Sequence, residues 1–339
     1  MKIRSMITTL LVSVLSFAVL CSPPSGRSAA AEDFKIRMTT GLNATSHSVA
    51  WIGTQAGIFK KYGLDVSFPK LAVGGPETAA GLMRGDWHFV QTGVIPIAEN
   101  VLNGGDAVIL LRNTVPNQVG VFLVARSEFK SLQQLAGKRV GVPADVHSGQ
   151  TSILGRLTLE KAGVTAEYVV LGSYQRIFDA LAAGEIDAGT LPIDFRFLGD
   201  SRHGWNSFET RAFGAPSIFG TTRRMIAENR PVVNRVVQAM VESIQLFKTR
   251  PDVVVPILEQ YLNFTDRAAV ERLRAFYAPL LPENPRPALG DMTDVRRAMI
   301  AKYPAARSLL ETDIADTSII DGLEKEGVIK KLVLNSRLN

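Results

Sequence analysis

"GGPETAAGLMRGDWHFV", residues 74–90, can be laid beside "GSYQRIFDALAAGEIDAG", residues 172–189. In each, an apolar run leads into a small-residue turn, a helical stretch, then glycine, an acid and a short strand. Gly85-Asp86 aligns with Gly184-Glu185, and Leu82 with Leu181. Glycine after a helical run is the common C-terminal cap, because it takes a left-handed backbone without penalty. The register continues upstream: "FKKYGLDV" ends a helix at Gly63, and "LEKAGVTAEYVV" ends one at Gly163. Before those stand "KIRMTT" (Lys35 to Thr40) and "KRVGVP" (Lys138 to Pro143), each a charged lead into a strand. Strand–helix–strand–helix–strand therefore occurs twice, which is the pattern of parallel α/β units.

Between the units, "NQVGVFLVARS" (Asn117 to Ser127) is a continuous apolar run, a buried-strand signal. It passes into "FKSLQQLAGKRVGV", a short helix capped by Gly137 that feeds the second unit. After Ala215 the repeat stops. Ser217 to Thr222 reads as one strand, and helices follow. Pro231 at a first helical turn precedes Val232, Val233, Val236, Val237, Met240, Val241, Ile244 and Phe247, a core-facing stripe at helical spacing. Further helices are expected around 253–261, 266–277, 291–300 and 315–326, with a proline-rich loop at 279–290.

This order predicts an α/β fold of two lobes, each a mostly parallel sheet flanked by helices. Residues 32–120 and 217–339 form lobe 1, and 121–216 form lobe 2. Two crossing segments, near 117–127 and 213–222, act as the hinge, and the cleft lies where the C-terminal strand ends of both sheets meet.

The first 31 residues are set apart. Lys2 and Arg4 precede an apolar run from Met6 to Leu20, and Ala29-Ala30-Ala31 offers small residues to a signal peptidase. The run is short for a membrane span, so export to the periplasm with cleavage after Ala31 is expected. Cys21 ends the apolar run, but bulky Leu20 precedes it where lipoprotein signals prefer a small residue. Without Lys2, Arg4 and Arg27 the chain keeps 35 basic against 32 acidic residues, a net charge of +3. Basic pairs such as Lys60-Lys61, Arg223-Arg224 and Arg296-Arg297 are scattered among acids, without the stripe a nucleic-acid binder needs. Cys21 is the sole cysteine, which leaves the mature chain no disulfide, thiolate metal site or cysteine nucleophile. The four histidines are too dispersed for a metal site. No cofactor is expected, and the protein is read as a monomer.

Loops at the strand C-termini carry the candidate chemistry. Lobe 1 offers "GLNATSHS" (Gly41 to Ser48), with Asn43, Ser46 and His47; lobe 2 offers "PADVHSGQT" (Pro143 to Thr151), with His147, Ser148 and Thr151. His47 and His147 are expected at equivalent places, facing one another across the cleft. The turn from Gly74 to Thr78 brings Gly75, Glu77 and Thr78, and Thr92-Gly93 closes another strand at the same edge. Small residues at a helix start leave backbone N–H groups free for an anion. Ser46, Ser48, Ser148 and Thr151 also stand where they can cap helices. Glu77 and Asp194, just after Pro76 and Pro192, favour the helix dipole or pair with the amine of a zwitterion. Arg112 and Arg196 are candidates to neutralise an anion, and Trp51, Tyr174 and Phe195 to form an aromatic wall. No G-x-S-x-G elbow supports a serine hydrolase, and no G-x-x-x-x-G-K-[ST] supports a nucleotide loop.

The segments "SVAWIGTQAGIFKKYGLDV", "GLMRGDWHFVQTG", "FKSLQQLAGKRVGVP" and "ALAAGEIDAG" resemble the type II periplasmic binding proteins of the nitrate/sulfonate/taurine class. The resemblance covers nearly the whole mature chain. It implies a non-enzymatic solute receptor of an ABC importer, handing a small anionic or zwitterionic solute, or a small carboxylate, to a permease and its ATPase. It extends to eukaryotic thiamine-pyrimidine synthases, which carry a cysteine-rich segment that the mature chain lacks. An enzyme of that type, or an extracytoplasmic ligand sensor, is the alternative; a sensor would want a second domain or a transmembrane span.

Overall fold

Strand β1 (Phe34–Thr40) opens the fold, and α1 (Val49–Gln55) and α2 (Ile58–Lys61) carry the chain to β2 (Leu64–Ser67). Then follow α3 (Gly75–Arg84), β3 (Phe89–Gly93), α4 (Val94–Leu102) and β4 (Ala107–Arg112). The second set is β5 (Val121–Ala125), β6 (Arg139–Val142), α5 (Gln150–Lys161), β7 (Glu167–Val170), α6 (Tyr174–Ala182), β8 (Ala188–Pro192), α7 (Ile193–His203) and β9 (Asn206–Glu209). Strand β10 (Ser217–Thr222) precedes a helical tail: α8 (Arg223–Thr249), α9 (Pro251–Leu262), α10 (Arg267–Tyr277), α11 (Met292–Met299), α12 (Glu311–Ile314), α13 (Ser318–Lys325) and α14 (Val328–Leu338). The computed structural model describes residues 34–115, 120–210, 216–290 and 292–338. The expected leader and the first three residues of both expected hinge segments lie outside the described residues.

The strands form two five-stranded sheets, ordered β2-β1-β3-β10-β4 and β7-β6-β8-β5-β9. In the first, β1 pairs with β2 and β3 in parallel, while β10 runs antiparallel to β3 and β4. In the second, β6 pairs with β7 and β8 in parallel, and β5 runs against β8 and β9. Each sheet thus has four strands in one direction and one against them. The reversed strand is the one that follows a crossing from the other half. Two parallel βαβ units explain the shared part of the order; the crossings supply the fourth strand.

The duplication read from the sequence is present atom by atom. Gly85 and Gly184 both end their helices in the left-handed region, at φ 78° and 74°. The following N–H groups, of Asp86 and Glu185, bond back to the carbonyls of Gly81 and Ala180, both at 2.9 Å. These are helix C-caps with the 6→1 bond of a Schellman motif. Further along, His88 N–H reaches the Arg37 carbonyl at 2.8 Å, and Asp187 N–H reaches that of Arg139 at 2.9 Å. Inside α3, Gly81 is required for another reason. A Cβ there would lie 1.9 Å from the Trp87 ring, and that ring is held by a 2.8 Å bond from its Nε1 to the Thr78 carbonyl. The roughly 1 kcal/mol that alanine offers a helix interior cannot offset such an overlap.

The core follows the periodicity. The stripe from Val232 to Phe247 is buried, with α8 lying against α1, α14 and the β10 end of the first sheet. The helix nevertheless starts eight residues before Pro231. Thr222 caps it, accepting from Met225 N–H at 3.0 Å, and Asn229 breaks the helical geometry (φ −135°, ψ 36°) just ahead of the proline. Proline lacks the N–H and clashes with the preceding turn, so Pro231 begins the second of two fused segments. Strand β9 and helices α12 and α14 had no sequence reading. Residues after α12 cover the β4 edge, where Asp316 N–H bonds the Ile109 carbonyl at 2.9 Å and hides an otherwise open strand edge.

Candidate functional site

The helices α3, α4, α5, α6 and α7 all begin beyond the C-terminal ends of strands, two from the first sheet and three from the second. Their mouths converge on a cavity of about 210 Å³ walled by both halves. This lies below the range of roughly 300–1,000 Å³ typical of drug-sized ligands, so the cavity suits a compact solute. Among the described residues that wall it, none is lysine, arginine, aspartate or glutamate. The polar groups are hydroxyls, amides, backbone N–H groups and one imidazole; Leu42, Tyr174, Phe195, Leu262 and Tyr277 supply the apolar side.

Of the residues expected there, Asn43, Ser46, His47, Gly75, Thr92, Gly93 and Thr151 stand on the wall. Thr151 Oγ1 lies 2.6 Å from the Tyr174 hydroxyl, so the aromatic ring and the threonine fix each other. Gly75 approaches Pro96 so closely that a Cβ would sit 2.8 Å from its ring; the turn needs glycine for packing as well as for access. Thr78 is fully buried behind the wall, bonded to Thr92 Oγ1 at 3.2 Å and to the Gly75 carbonyl.

Glu77 points away from the cavity, exposed and paired with Arg84, an arrangement worth little in water. It is no partner for a bound amine. Arg112 and Arg196 also lie off the wall: Arg196 stacks over Phe122 at 4.8 Å, and Arg112 is half-buried in β4. Trp51 packs instead on Phe68 and Tyr261.

The expected histidine pair does not form. His147 is exposed and off the wall, its N–H tied to Asp145 Oδ1 at 2.8 Å, and Ser148 is likewise off it. The two loops differ in length and register. His47 comes seven residues after the end of β1, whereas His147 comes five after the end of β6. His47 lies in a 3-10 turn and is only 4 % exposed. Its Nδ1 is 2.9 Å from Ser46 Oγ, while its buried Nε2 makes no hydrogen bond. Burial lowers its pKa to about 4, with the Thr92 backbone opposing. The cavity therefore holds a neutral imidazole at physiological pH.

Nor do the expected cap residues cap. Ser48 donates to the Thr45 carbonyl at 2.8 Å, and Gly149 stands at the α5 N-terminus. Ser173, which had no sequence reading, caps α6 by accepting from Arg176 N–H.

Among the described residues, Phe195 and Phe197 pack across the halves on Phe264 and Phe276, and two hydrogen-bonded contacts to main-chain N–H groups also cross. Asp194, at the start of α7 and fully buried, accepts at Oδ1 from Thr45 N–H (2.8 Å) and from the Thr45 hydroxyl. Burial raises its pKa, and the Thr45 bonds pull the other way. Burial, reinforced by the Asp194 charge, pushes the Tyr277 hydroxyl well above its ordinary value. The second contact runs from Val94 N–H, at the α4 mouth, to Gln150 Oε1 at 2.9 Å. Sequence reading passed over Gln150, Ser173, Ser217 and Tyr277. Gln150 lay inside the flagged "PADVHSGQT" loop and was legible there; Tyr277 comes from a distant helix with nothing local to mark it.

Among the described residues, no cluster of histidine, cysteine, aspartate and glutamate could hold a metal ion. No helix among them is long and apolar enough to cross a membrane.

Residues 44–253 match the family model described as NMT1/THI5 like. A Brucella abortus protein named only as a binding protein is 28 % identical over 254 residues, 72 % of this chain and 76 % of its own. The alkanesulfonate-binding protein SsuA from Xanthomonas axonopodis pv. citri, solved with MOPS, superposes at a TM-score of 0.63 with 18 % identity, covering 83 % of this chain and 96 % of that one. The ligand-binding component of an ABC-type import system from Staphylococcus aureus gives 0.64 with 12 % identity, covering 85 % and 98 %. The two-sheet architecture is that of the periplasmic binding proteins, and the chain belongs to the NMT1/THI5-like family.

Proposed function

We propose that this protein is the extracytoplasmic solute receptor of an ABC-type importer and binds a small organic or inorganic anion in the cleft between its two lobes. One observation carries the reading: a compact cavity walled by both halves, onto which five helix N-termini open and whose described wall has no ionised side chain. A helix N-terminus offers unpaired N–H groups and about half a positive charge, so several together favour a negative ligand without lysine or arginine. A sulfonate or small carboxylate presents two or three acceptors to such a ring of donors. Its carbon portion fits the side formed by Leu42, Phe195 and Leu262. A zwitterion such as taurine is less well served, because Glu77 faces solvent and Asp194 is already engaged by Thr45.

Asn43, Ser46, His47, Thr92 and Thr151 are the side chains assigned to ligand contact, with Gly75 and Gly93 contributing backbone. Lobe closure about the two crossings accounts for contacts from both sheets, and delivery to a permease and its ATPase follows from the receptor role. Export through the N-terminal leader, with cleavage after Ala31, belongs to the same reading. The Brucella abortus and Xanthomonas axonopodis proteins are named as binding proteins, in keeping with a chain that carries ligand without transforming it.

Native mass spectrometry of protein recovered from the periplasm tests this. A chain beginning near Glu32 and releasing a small acid on denaturation is the expected result. An intact N-terminus, or a released nucleotide or organic cation, would count against it.

A further inference from the structure

We propose that Gln150 is a clasp that holds the two lobes together in the unliganded protein. It does so by placing its side-chain oxygen on the α4 mouth, in the position a solute's acceptor atom takes. This concerns the regulation of the cleft, and it rests on the receptor reading only for what opening is used for.

Three observations meet at this residue. First, Gln150 begins α5 in the second half, and its Oε1 accepts Val94 N–H, the first N–H of α4 in the first half, at 2.9 Å. That N–H has no partner inside its own helix, so a side chain from the opposite half satisfies it. Second, the approach is possible only because residue 93 is glycine. A Cβ at Gly93 would lie 2.4 Å from Gln150 Oε1 and 2.9 Å from its Cδ. Third, Gln150 lines the same cavity as Thr92, Gly93 and His47, whose buried Nε2 makes no hydrogen bond. The clasp therefore occupies the region where a ligand would be read.

The chemistry sets its strength. An amide oxygen is a neutral acceptor, whereas bonds to ionised acceptors are roughly twice as strong. Gln150 therefore satisfies the α4 mouth when the cleft is empty and yields it to an anion. A carboxylate in its place would compete on equal terms. The bridge from Asp194 to Thr45 is fully buried and lies off the cavity wall, so it is not displaced by ligand in this way.

The test uses full-length ligand-free protein, unfolded and refolded to strip any bound solute. It reads the exchange of the Val94 amide hydrogen by NMR and the radius of gyration by small-angle scattering. In Gln150→Ala and in Gly93→Ala, Val94 exchange should quicken about tenfold, the scale of one lost hydrogen bond, and the radius should increase. The two act differently: one removes the clasp, the other bars its approach by crowding the Gln150 side chain from Oε1 back to its Cβ, 3.0 Å away. Their double variant should match either single one. Gln150→Glu keeps an acceptor at the helix mouth, and a charged one, so its Val94 exchange should be no faster than wild type and its radius no larger. If both alanine variants keep the wild-type values, or if Gln150→Glu behaves like Gln150→Ala, the clasp does not exist. Because no ligand enters these measurements, their failure is separate from a failure of the receptor reading, which native mass spectrometry reports.

Discussion

Lowering the pH from 7 to 4 is expected to cost the protein roughly 3 kcal/mol through His47 alone, at 1.36 kcal/mol per pKa unit between the ordinary 6.5 and the folded value, which is about 4. The sign follows from linkage. The folded pKa is depressed, so the unfolded chain takes up the proton first. Stability is complete above about pH 6.5 and is lost as pH falls toward 4. Asp194 contributes with the opposite sign. Its folded pKa is raised by burial, so protonation favours the folded state as pH falls through that value. The His47 contribution is isolated by comparing wild type with His47→Gln in thermal unfolding at pH 7, 5.5 and 4. The wild type should lose roughly 5 °C more than the variant across that range, taking about 2.1 cal/mol/K per residue for the unfolding entropy. Equal losses would mean that the imidazole is not held neutral. The same burial bears on binding. With one neutral imidazole in the cavity and His147 in solvent, anion affinity should stay flat between pH 8 and 6. A facing pair of histidines would instead have gripped an anion more tightly in acid.

Asp194→Ala is expected to destabilise the protein by roughly 2–6 kcal/mol. Each of the two Thr45 donors left without a partner costs about 1–3 kcal/mol. Both are buried, since Thr45 and Asp194 are 1 % and 0 % exposed, and water cannot replace the lost acceptor. On the same entropy scale the melting temperature should drop by about 3–9 °C. Asp194→Asn is the instructive companion. It keeps an oxygen for Thr45 and removes a charge whose burial is unfavourable, so its stability at pH 7 should stay close to wild type. A large loss in both variants would mean that the charge itself binds the halves. No loss in either would mean that the Thr45 bridge contributes nothing to the closed arrangement.

Local signals carried the fold far. The echo of Gly85-Asp86 in Gly184-Glu185 is a backbone requirement written in one residue type, because the left-handed cap at φ 78° and 74° excludes most side chains. Pro231 marked the kink in α8 for a similar reason. By contrast, β9 is four residues with no fully buried position, and such a short edge strand leaves little alternation to read. The reversed strands β5 and β10 were legible as strands, but not their direction, which depends on where the crossings deliver the chain.

The site was legible by loop and not by side chain. The strand-end loops stand at the cavity, where Asn43, His47, Thr92 and Thr151 line the wall. Orientation within a loop depends on tertiary packing. Glu77 turns out toward Arg84, and His147 projects into solvent because its loop follows a different register from that of His47. Gln150 and Tyr277 gain their roles from contacts at sequence separations of 56 and more, to Val94 and to the Asp194 region. No local pattern announces such contacts.

The central claim is that an uncharged cleft wall, presenting helix mouths, holds a compact anion. Titration calorimetry of stripped protein with methanesulfonate, acetate, taurine and methylammonium tests it most directly. Measurable binding of methanesulfonate or acetate, weaker binding of taurine and none of methylammonium is the result this account predicts. Methylammonium binding more tightly than both simple anions would contradict it.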